Sequence, residues 1–255
     1  MSQALTAAGD GRWPRIRVGA GCHVAQLPLV LGGLHQELPV QHTVRVAMEP
    51  RNTRGWGAQR GADLAVGAGF LPSGAALFRR GVVHLTLTRL RSLPDTVCAG
   101  MKLLIVGLNP SPSSADAGIG YARPGNRFWP AALKAGLVSV DRDPRHALQY
   151  HGLGMTDIVR RTTRRADEID VAEYNAGFAR IIRLAQWLRP KAICFVGLSG
   201  WRNVVDRSAQ AGVQKVAIGR RPVYLMPHTS GLNAHCRLDD LVEHFSRALA
   251  LANKS

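Results

Sequence analysis

Residues 102–106 read Lys-Leu-Leu-Ile-Val, and Gly107 follows at once. Four consecutive apolar residues with no polar alternation leave neither face of a strand for water, so the run suits a strand buried on both sides, as in a parallel sheet. Residues 192–196 (AICFV), which also end in a glycine, Gly197, and residues 222–226 (PVYLM) have the same character, and residues 154–159 supply a fourth, shorter candidate. Between these runs the period changes. Asn126 precedes residues 127–135, which read as a helix stopped at Gly136. Asp170 and Glu173 have capping-box spacing with Asp at the cap; Tyr174, Phe178, Ile181, Ile182, Ala185 and Leu188 then recur at helical spacing until Pro190. Leu238, Leu241, Val242, Phe245 and Leu249 mark a final amphipathic helix. The alternation predicts an α/β domain over residues 91–255: a short central parallel sheet flanked by helices on both faces.

In such a sheet, ligands bind beyond the carboxyl ends of the strands, which here means residues 107–114, 197–201 and 227–234. The first of these holds Gly107-Leu108-Asn109-Pro110-Ser111. The Asn109 amide both accepts and donates, so it suits holding a water, Pro110 stiffens the turn, and Gly107 permits close backbone approach. An Asn-Pro pair is also ordinary turn punctuation. Residues 118–129 (GIGYARPGNRFW) place Tyr121 in a glycine-rich loop, where it can stack on an exposed base; Phe128 and Trp129 read as core, and Arg123 and Arg127 suit phosphates or plain solvent. Residues 226–234 (MPHTSGLNA) put an apolar Leu232 in a polar loop; an exposed leucine is ordinary on a protein surface, and in a DNA enzyme it could enter the base stack as a wedge.

Composition narrows the partner. The 255 residues carry 33 basic and 17 acidic side chains, a net charge of +16, which points to a polyanion and first to nucleic acid. Only five of the basic residues are lysine, an imbalance that genome composition also produces. Cys22, Cys98, Cys194 and Cys236 lack the short spacing of zinc or iron–sulfur sites, so reduced thiols in an intracellular chain, with no metal and no cofactor, are expected. No stretch approaches 18 apolar residues, and no signal-peptide layout opens the chain, so neither a membrane span nor export is expected.

Residues 1–90 read differently. Glycines and prolines break every short apolar run, and only pieces such as residues 82–88 (VVHLTLT) look strand-like. The expectation is an irregular or disordered basic extension. Three readings stay open for it: a basic arm touching DNA, a small irregular subdomain, or a stretch outside the natural protein, with translation starting at Val82, Val83 or Met101.

Together, GLNPS after the first core strand, NRFW at 126–129 and MPHTSGLN after the last core strand resemble the uracil-DNA glycosylase superfamily, and most closely its mismatch-specific uracil (Mug) and thymine-DNA glycosylase branch. The resemblance covers residues 93 to about 250. It implies the uracil-DNA glycosylase sandwich, no metal, and a target base flipped out of duplex DNA. It places Asn109 on the family's catalytic asparagine, which positions the attacking water, and Tyr121 on the aromatic residue that stacks on the flipped base. Ser230, Gly231 and Leu232 fall on the loop that pinches DNA, with Leu232 as wedge and Asn233 in support. Backbone around Gly107, Leu108, Pro110 and Tyr121 would meet the base, and Arg123 and Arg127 the DNA. Apart from the resemblance, Arg160, Arg161, Arg164 and Arg165 suit phosphate contacts and equally a solvated face. His228 departs from the branch, which usually has Asn or Ser there. It matches the general uracil-DNA glycosylases, where a histidine stabilises charge on the departing uracil.

The resemblance thus implies a monofunctional DNA N-glycosylase excising uracil, thymine or another damaged pyrimidine from mismatched double-stranded DNA, as a cytoplasmic, nucleoid-associated monomer. Two alternatives stand beside it: a general uracil-DNA glycosylase using His228, and a protein that binds damaged DNA without cutting. Other enzyme classes fail on their motifs. Gly197-Leu198-Ser199-Gly200-Trp201 displaces the second glycine of a serine-hydrolase elbow, and residues 107–111 are not a dinucleotide-binding GxGxxG.

Overall fold

The computed structural model describes residues 13–51, 54–234 and 236–255. The chain divides into two compact units, one ending at Pro94 and the other beginning at Asp95.

The first unit runs β1 (Arg15–Val18), α1 (Leu27–Glu37), β2 (Thr43–Met48), α2 (Ala58–Gly67), β3 (Phe70–Arg79) and β4 (Val82–Arg89). Its sheet has the order β1-β2-β4-β3, with β1 parallel to β2 and the other pairings antiparallel. An irregular extension over residues 1–90 is therefore not what residues 13–89 form. The strands alternate as half-buried strands do: Val44, Val46 and Met48 of β2 and Val83, Leu85 and Leu87 of β4 are buried, while their neighbours are not. What reads as breakage in the sequence is close packing. Gly61 lies inside α2, where a Cβ would sit 2.6 Å from Val83 Cγ1, so its absence lets the helix settle on the sheet. Pro28 stands in the first turn of α1, where its missing N–H costs nothing. Residues Arg80 and Gly81 both have positive φ, 49° and 80°, and close the β3–β4 hairpin as a two-residue turn.

The second unit contains β5 (Leu103–Gly107), α3 (Pro112–Ala117), α4 (Phe128–Lys134), α5 (Pro144–His151), β6 (Leu153–Asp157), α6 (Val171–Leu188), β7 (Ala192–Val196), α7 (Ser199–Val204), β8 (Gly212–Val213), β9 (Val223–Met226) and α8 (Leu238–Asn253). Its sheet order is β6-β5-β7-β9-β8; the first four strands are parallel, and the two-residue β8 is an antiparallel edge. Every residue of β5, β6, β7 and β9 is buried, as the apolar runs of β5, β7 and β9 require, while β6 ends in the buried polar residues Thr156 and Asp157. The capping box of α6 forms as its spacing predicts, with Asp170 accepting from Glu173 N at 2.8 Å. On one face Phe128 and Trp129 of α4 and Phe245 of α8 join a core with Leu103 and Ile105 of β5. Phe178, Phe195 and Trp201 form an aromatic group among α6, β7 and α7. Among the described residues no helix is long and apolar enough to cross a membrane.

Candidate active site

Adjacent parallel strands β5 and β6 end in register, Gly107 opposite Asp157, and the pairing continues into the loops: Ile158 N donates to Gly107 O at 3.0 Å and Val159 N to Leu108 O at 2.9 Å. This ladder holds the backbone of residues 107–109 at the strand ends. Asn109 is then oriented by its own amide. Nδ2 donates to Thr163 Oγ1 at 2.7 Å and to Arg161 O at 3.1 Å, while Thr163 Oγ1 donates onward to Arg165 O at 2.8 Å. With both Nδ2 hydrogens committed, Oδ1 is the outstanding group, and it has no hydrogen-bond partner among the described residues. A fixed carbonyl acceptor at a strand end is suited to holding a water by one of its hydrogens.

Ser111 caps α3 by accepting from Ser114 N at 3.2 Å, and Ser114 Oγ in turn accepts from Ala122 N at 3.3 Å, which ties the glycine-rich loop to the first motif. Tyr121 takes φ 59°, and its ring lies flat on Phe128, with centroids 4.1 Å apart and planes 2° apart. One face of Tyr121 is thus already covered by protein. Its hydroxyl is buried and makes no hydrogen bond among the described residues. Gly107 explains itself here: a Cβ would stand 2.2 Å from Asp157 Oδ1 and 3.0 Å from the Tyr121 hydroxyl.

Asp157 is the site residue that sequence reasoning missed. It is buried beside Tyr121 and 3.8 Å from Arg160 Nη1. Burial raises its carboxyl to about 6, the charge of Asp95 adds to the rise, and Arg160 and Arg180 oppose it. Burial, with the Asp157 charge behind it, likewise drives the Tyr121 phenol well above its ordinary value. Beneath them lies a buried ionic group: Asp95 receives Arg160 at 2.8 Å, Arg180 at 2.7 Å and Thr156 Oγ1 at 2.7 Å, while Arg180 also donates to Thr156 Oγ1 at 2.8 Å and to Asp157 O at 2.9 Å. The available signal was an acidic residue ending a buried strand directly opposite the GLNPS glycine.

The arginines divide. Arg160 is enclosed in the ionic group and is not placed to meet phosphate. Arg161 makes a two-pronged pair with Glu173, both contacts 2.8 Å, and Arg165 pairs with Asp167. Arg127 is a brace: Nη2 donates to Ser230 O at 3.0 Å and Asn233 O at 2.9 Å, Nη1 donates to Cys236 O, and its backbone N donates to Thr229 O. Arg123 and Arg164 are exposed.

The loop after β9 is closely organised. Asn126 Oδ1 accepts from Thr229 Oγ1 at 2.9 Å, Asn233 Nδ2 donates to His228 O at 3.0 Å, and Leu232 N donates to Ser230 Oγ at 3.3 Å. Gly231 approaches the other loop so closely that a Cβ would lie 2.6 Å from Gly125 O. On this framework Leu232 is 80% exposed, a large apolar side chain presented to solvent. His228 is exposed, and partial burial together with the Arg127 charge holds its imidazole below the ordinary value. At neutral pH the ring is therefore uncharged and retains one N–H to donate. The structure thus gathers Gly107, Tyr121 and Asp157 into one group, Asn109 with the 161–163 loop into a second, and Arg127, His228, Ser230, Gly231, Leu232 and Asn233 into a third.

Among solved structures, a Methanosarcina acetivorans chain described as a candidate uracil DNA glycosylase, determined in solution, aligns with a TM-score of 0.43 and 20% identity over 63% of this chain and 97% of its own. The profile of the uracil DNA glycosylase superfamily matches residues 94–251. That match spans more than half of the sequence and contains all three loops, and the protein belongs to the uracil DNA glycosylase superfamily.

Proposed function

We propose that this protein is a monofunctional DNA N-glycosylase that flips uracil out of mismatched double-stranded DNA and hydrolyses its glycosidic bond, leaving an abasic site. The observation that carries the reading is Asn109: its amide donors are tied down and its carbonyl oxygen is left to hold a water. Uracil leaves the stack before the bond is reached, and weak pairing opposite guanine lowers the cost of that step, so G·U is preferred over A·U. Leu232 fills the vacated space. The face of Tyr121 turned away from Phe128 stacks on the base, and Phe128 supports the ring from behind. As the C1′–N1 bond breaks, negative charge grows on the departing base, and backbone N–H groups near Leu108 and Tyr121 meet it as an oxyanion site does. Asn109 places water at C1′. Arg123 and Arg164 contact phosphates, and Arg127 acts indirectly by holding the wedge loop in shape. The protein works as a monomer on chromosomal DNA, in the cytoplasm at the nucleoid.

A second reading, a general uracil-DNA glycosylase, is favoured by His228. An exposed neutral imidazole donates a hydrogen bond to the uracil oxygen without itself being a charge that must be neutralised.

Single-turnover excision from labelled duplexes carrying G·U, A·U or G·T, with single-stranded uracil alongside, tests both. The expected result is fastest cleavage at G·U and a loss of about 10²–10³ in Asn109→Ala, the usual cost of one positioned transition-state group. Equal cleavage in every context, with a comparable loss in His228→Ala, selects the general enzyme instead. Tight binding to damaged DNA with no excision rejects both.

A further inference from the structure

Among the described residues of the N-terminal unit, helices cover one face of the sheet. Val44, Val46, Met48, Val83, Leu85 and Leu87 share the face on which α2 packs through Gly61, and α1 packs against α2. Directly paired residues point to the same side of a sheet, so the register identifies what stands on the other face. One rung is Arg15, Arg45, Thr86 and Ser73; the next is Arg17, Ala47, His84 and Leu77; Val82 and Arg79 begin a third. These side chains line a groove of about 700 Å³ that also takes in Arg80 from the hairpin turn.

The groove carries charge of one sign. Between residues 13 and 94 the sequence has ten arginines, no lysine and three carboxylates, and five of those arginines line this groove. Arg17 lies 3.6 Å from Glu49, both well exposed, a pairing too weak to hold the charge back from a stronger anion. Short side chains at Ala47, Ser73 and Ala75 keep the floor low while the arginines rise along the β1 side and the hairpin end.

We propose that this open sheet face is a second DNA-binding surface, which grips the phosphate backbone of duplex DNA outside the glycosylase unit. Four strands set the outer two roughly 14 Å apart. Duplex DNA carries one charge per about 1.7 Å of axis with both strands counted, so about eight phosphates pass within that width and about four of them face the sheet, a number that matches the cluster of arginines. Single-stranded binding grooves stack bases on aromatic rings, and the residues lining this groove include no Phe, Tyr or Trp. That favours backbone contact with a duplex over capture of unpaired bases. DNA is the polyanion this superfamily member meets, and the surface lies wholly outside the matched residues 94–251. The inference stands whichever base the C-terminal unit excises.

The test uses the full chain with Arg15, Arg45, Arg79 and Arg80 all changed to Gln. Binding to an undamaged duplex is measured by fluorescence anisotropy between 50 and 200 mM salt (about the range in which counterion release dominates). The slope of log K against log salt is expected to fall by about 3.6, since each of the four phosphate contacts contributes about 0.9. Single-turnover excision at saturating enzyme should not change. The matching four-lysine variant should restore the slope, because a phosphate contact of this kind needs charge rather than guanidinium geometry. A slope unchanged by the Gln variant, or a loss that the lysines do not restore, overturns the proposal. So does a loss seen only with single-stranded DNA, an RNA hairpin or phosphatidylserine vesicles while the duplex slope is kept.

Discussion

The two units are built from the same parts and treat arginine and glycine in opposite ways. In the C-terminal unit the strands of the parallel sheet are buried, and three arginines near the strand ends are turned inward: Arg160 and Arg180 around Asp95, Arg127 against the carbonyls of the wedge loop. In the N-terminal unit Arg15, Arg17 and Arg45 line a groove on the sheet face opposite α2. The net charge of +16 therefore includes arginines enclosed by the fold, such as Arg160 and Arg180, beside arginines that line an exposed groove. In the C-terminal unit Gly107 marks a close approach at a strand end, whereas Gly61 marks a helix pressed onto a sheet.

The sharpest way to break this contrast is to remove one arginine from each population. Arg180→Ala leaves Asp95 and Thr156 short of a buried partner, and loss of one side of a buried pair costs about 3–5 kcal/mol. Arg45→Ala removes a groove side chain and should stay within about 0.5 kcal/mol. Urea unfolding of the two variants reads both numbers, and equal costs would mean that the arginines are not divided as described.

A somewhat smaller effect is expected from Asp157→Asn, and it should depend on pH. The folded carboxyl titrates at about 6, above an ordinary value of 3.8. Between those values the folded state holds the proton more often than the unfolded state, so stability falls as pH rises and reaches its full loss above about pH 6. Two pKa units correspond to about 2–3 kcal/mol. Asn imitates the protonated form. The variant should therefore match the parent near pH 4 and exceed it at pH 8. An advantage that is the same at both pH values would place the titration elsewhere.

How much of this was legible depended on how local the cause was. The strands at residues 102–106, 192–196 and 222–226 and the Asp170–Glu173 box were readable because burial on both faces and helix capping act within a few residues. Asn109 and Leu232 were readable as types beyond strand ends and Tyr121 as a type in a glycine-rich loop, but the partners that organise these loops were not: Thr163 lies 54 residues from Asn109, and Arg127 lies 103 from Ser230. Asp157 stayed hidden because its meaning comes from Gly107 on a neighbouring strand and from Asp95, 62 positions earlier in the numbering. The N-terminal unit was misread because glycine and proline signal breakage unless a packing partner is known, and the partner of Gly61, Val83, lies in a different element.

That last misreading yields the smallest and most discriminating measurement. Gly61 and Gly33 both sit inside helices of the N-terminal unit, and both lower helix propensity relative to alanine by about 1 kcal/mol. At Gly33 an added Cβ meets nothing within 4 Å. Gly33→Ala should therefore recover about 0.5–1 kcal/mol of stability, with no compensating clash. At Gly61 the same methyl would stand 2.6 Å from Val83 Cγ1, with the Val83 Cβ and second methyl 3.1 and 3.2 Å away. Val83 is fully buried and β-branched, so it has little freedom to turn aside. Overpacking of this kind costs about 1–3 kcal/mol, which outweighs the propensity gain and makes Gly61→Ala neutral to destabilising. If both alanines stabilise equally, α2 does not rest on β4 as closely as its glycine implies, and the covered face of the sheet would have to be reassigned. If only Gly33→Ala stabilises, the glycines of this unit divide into one that the fold merely tolerates and one that it requires.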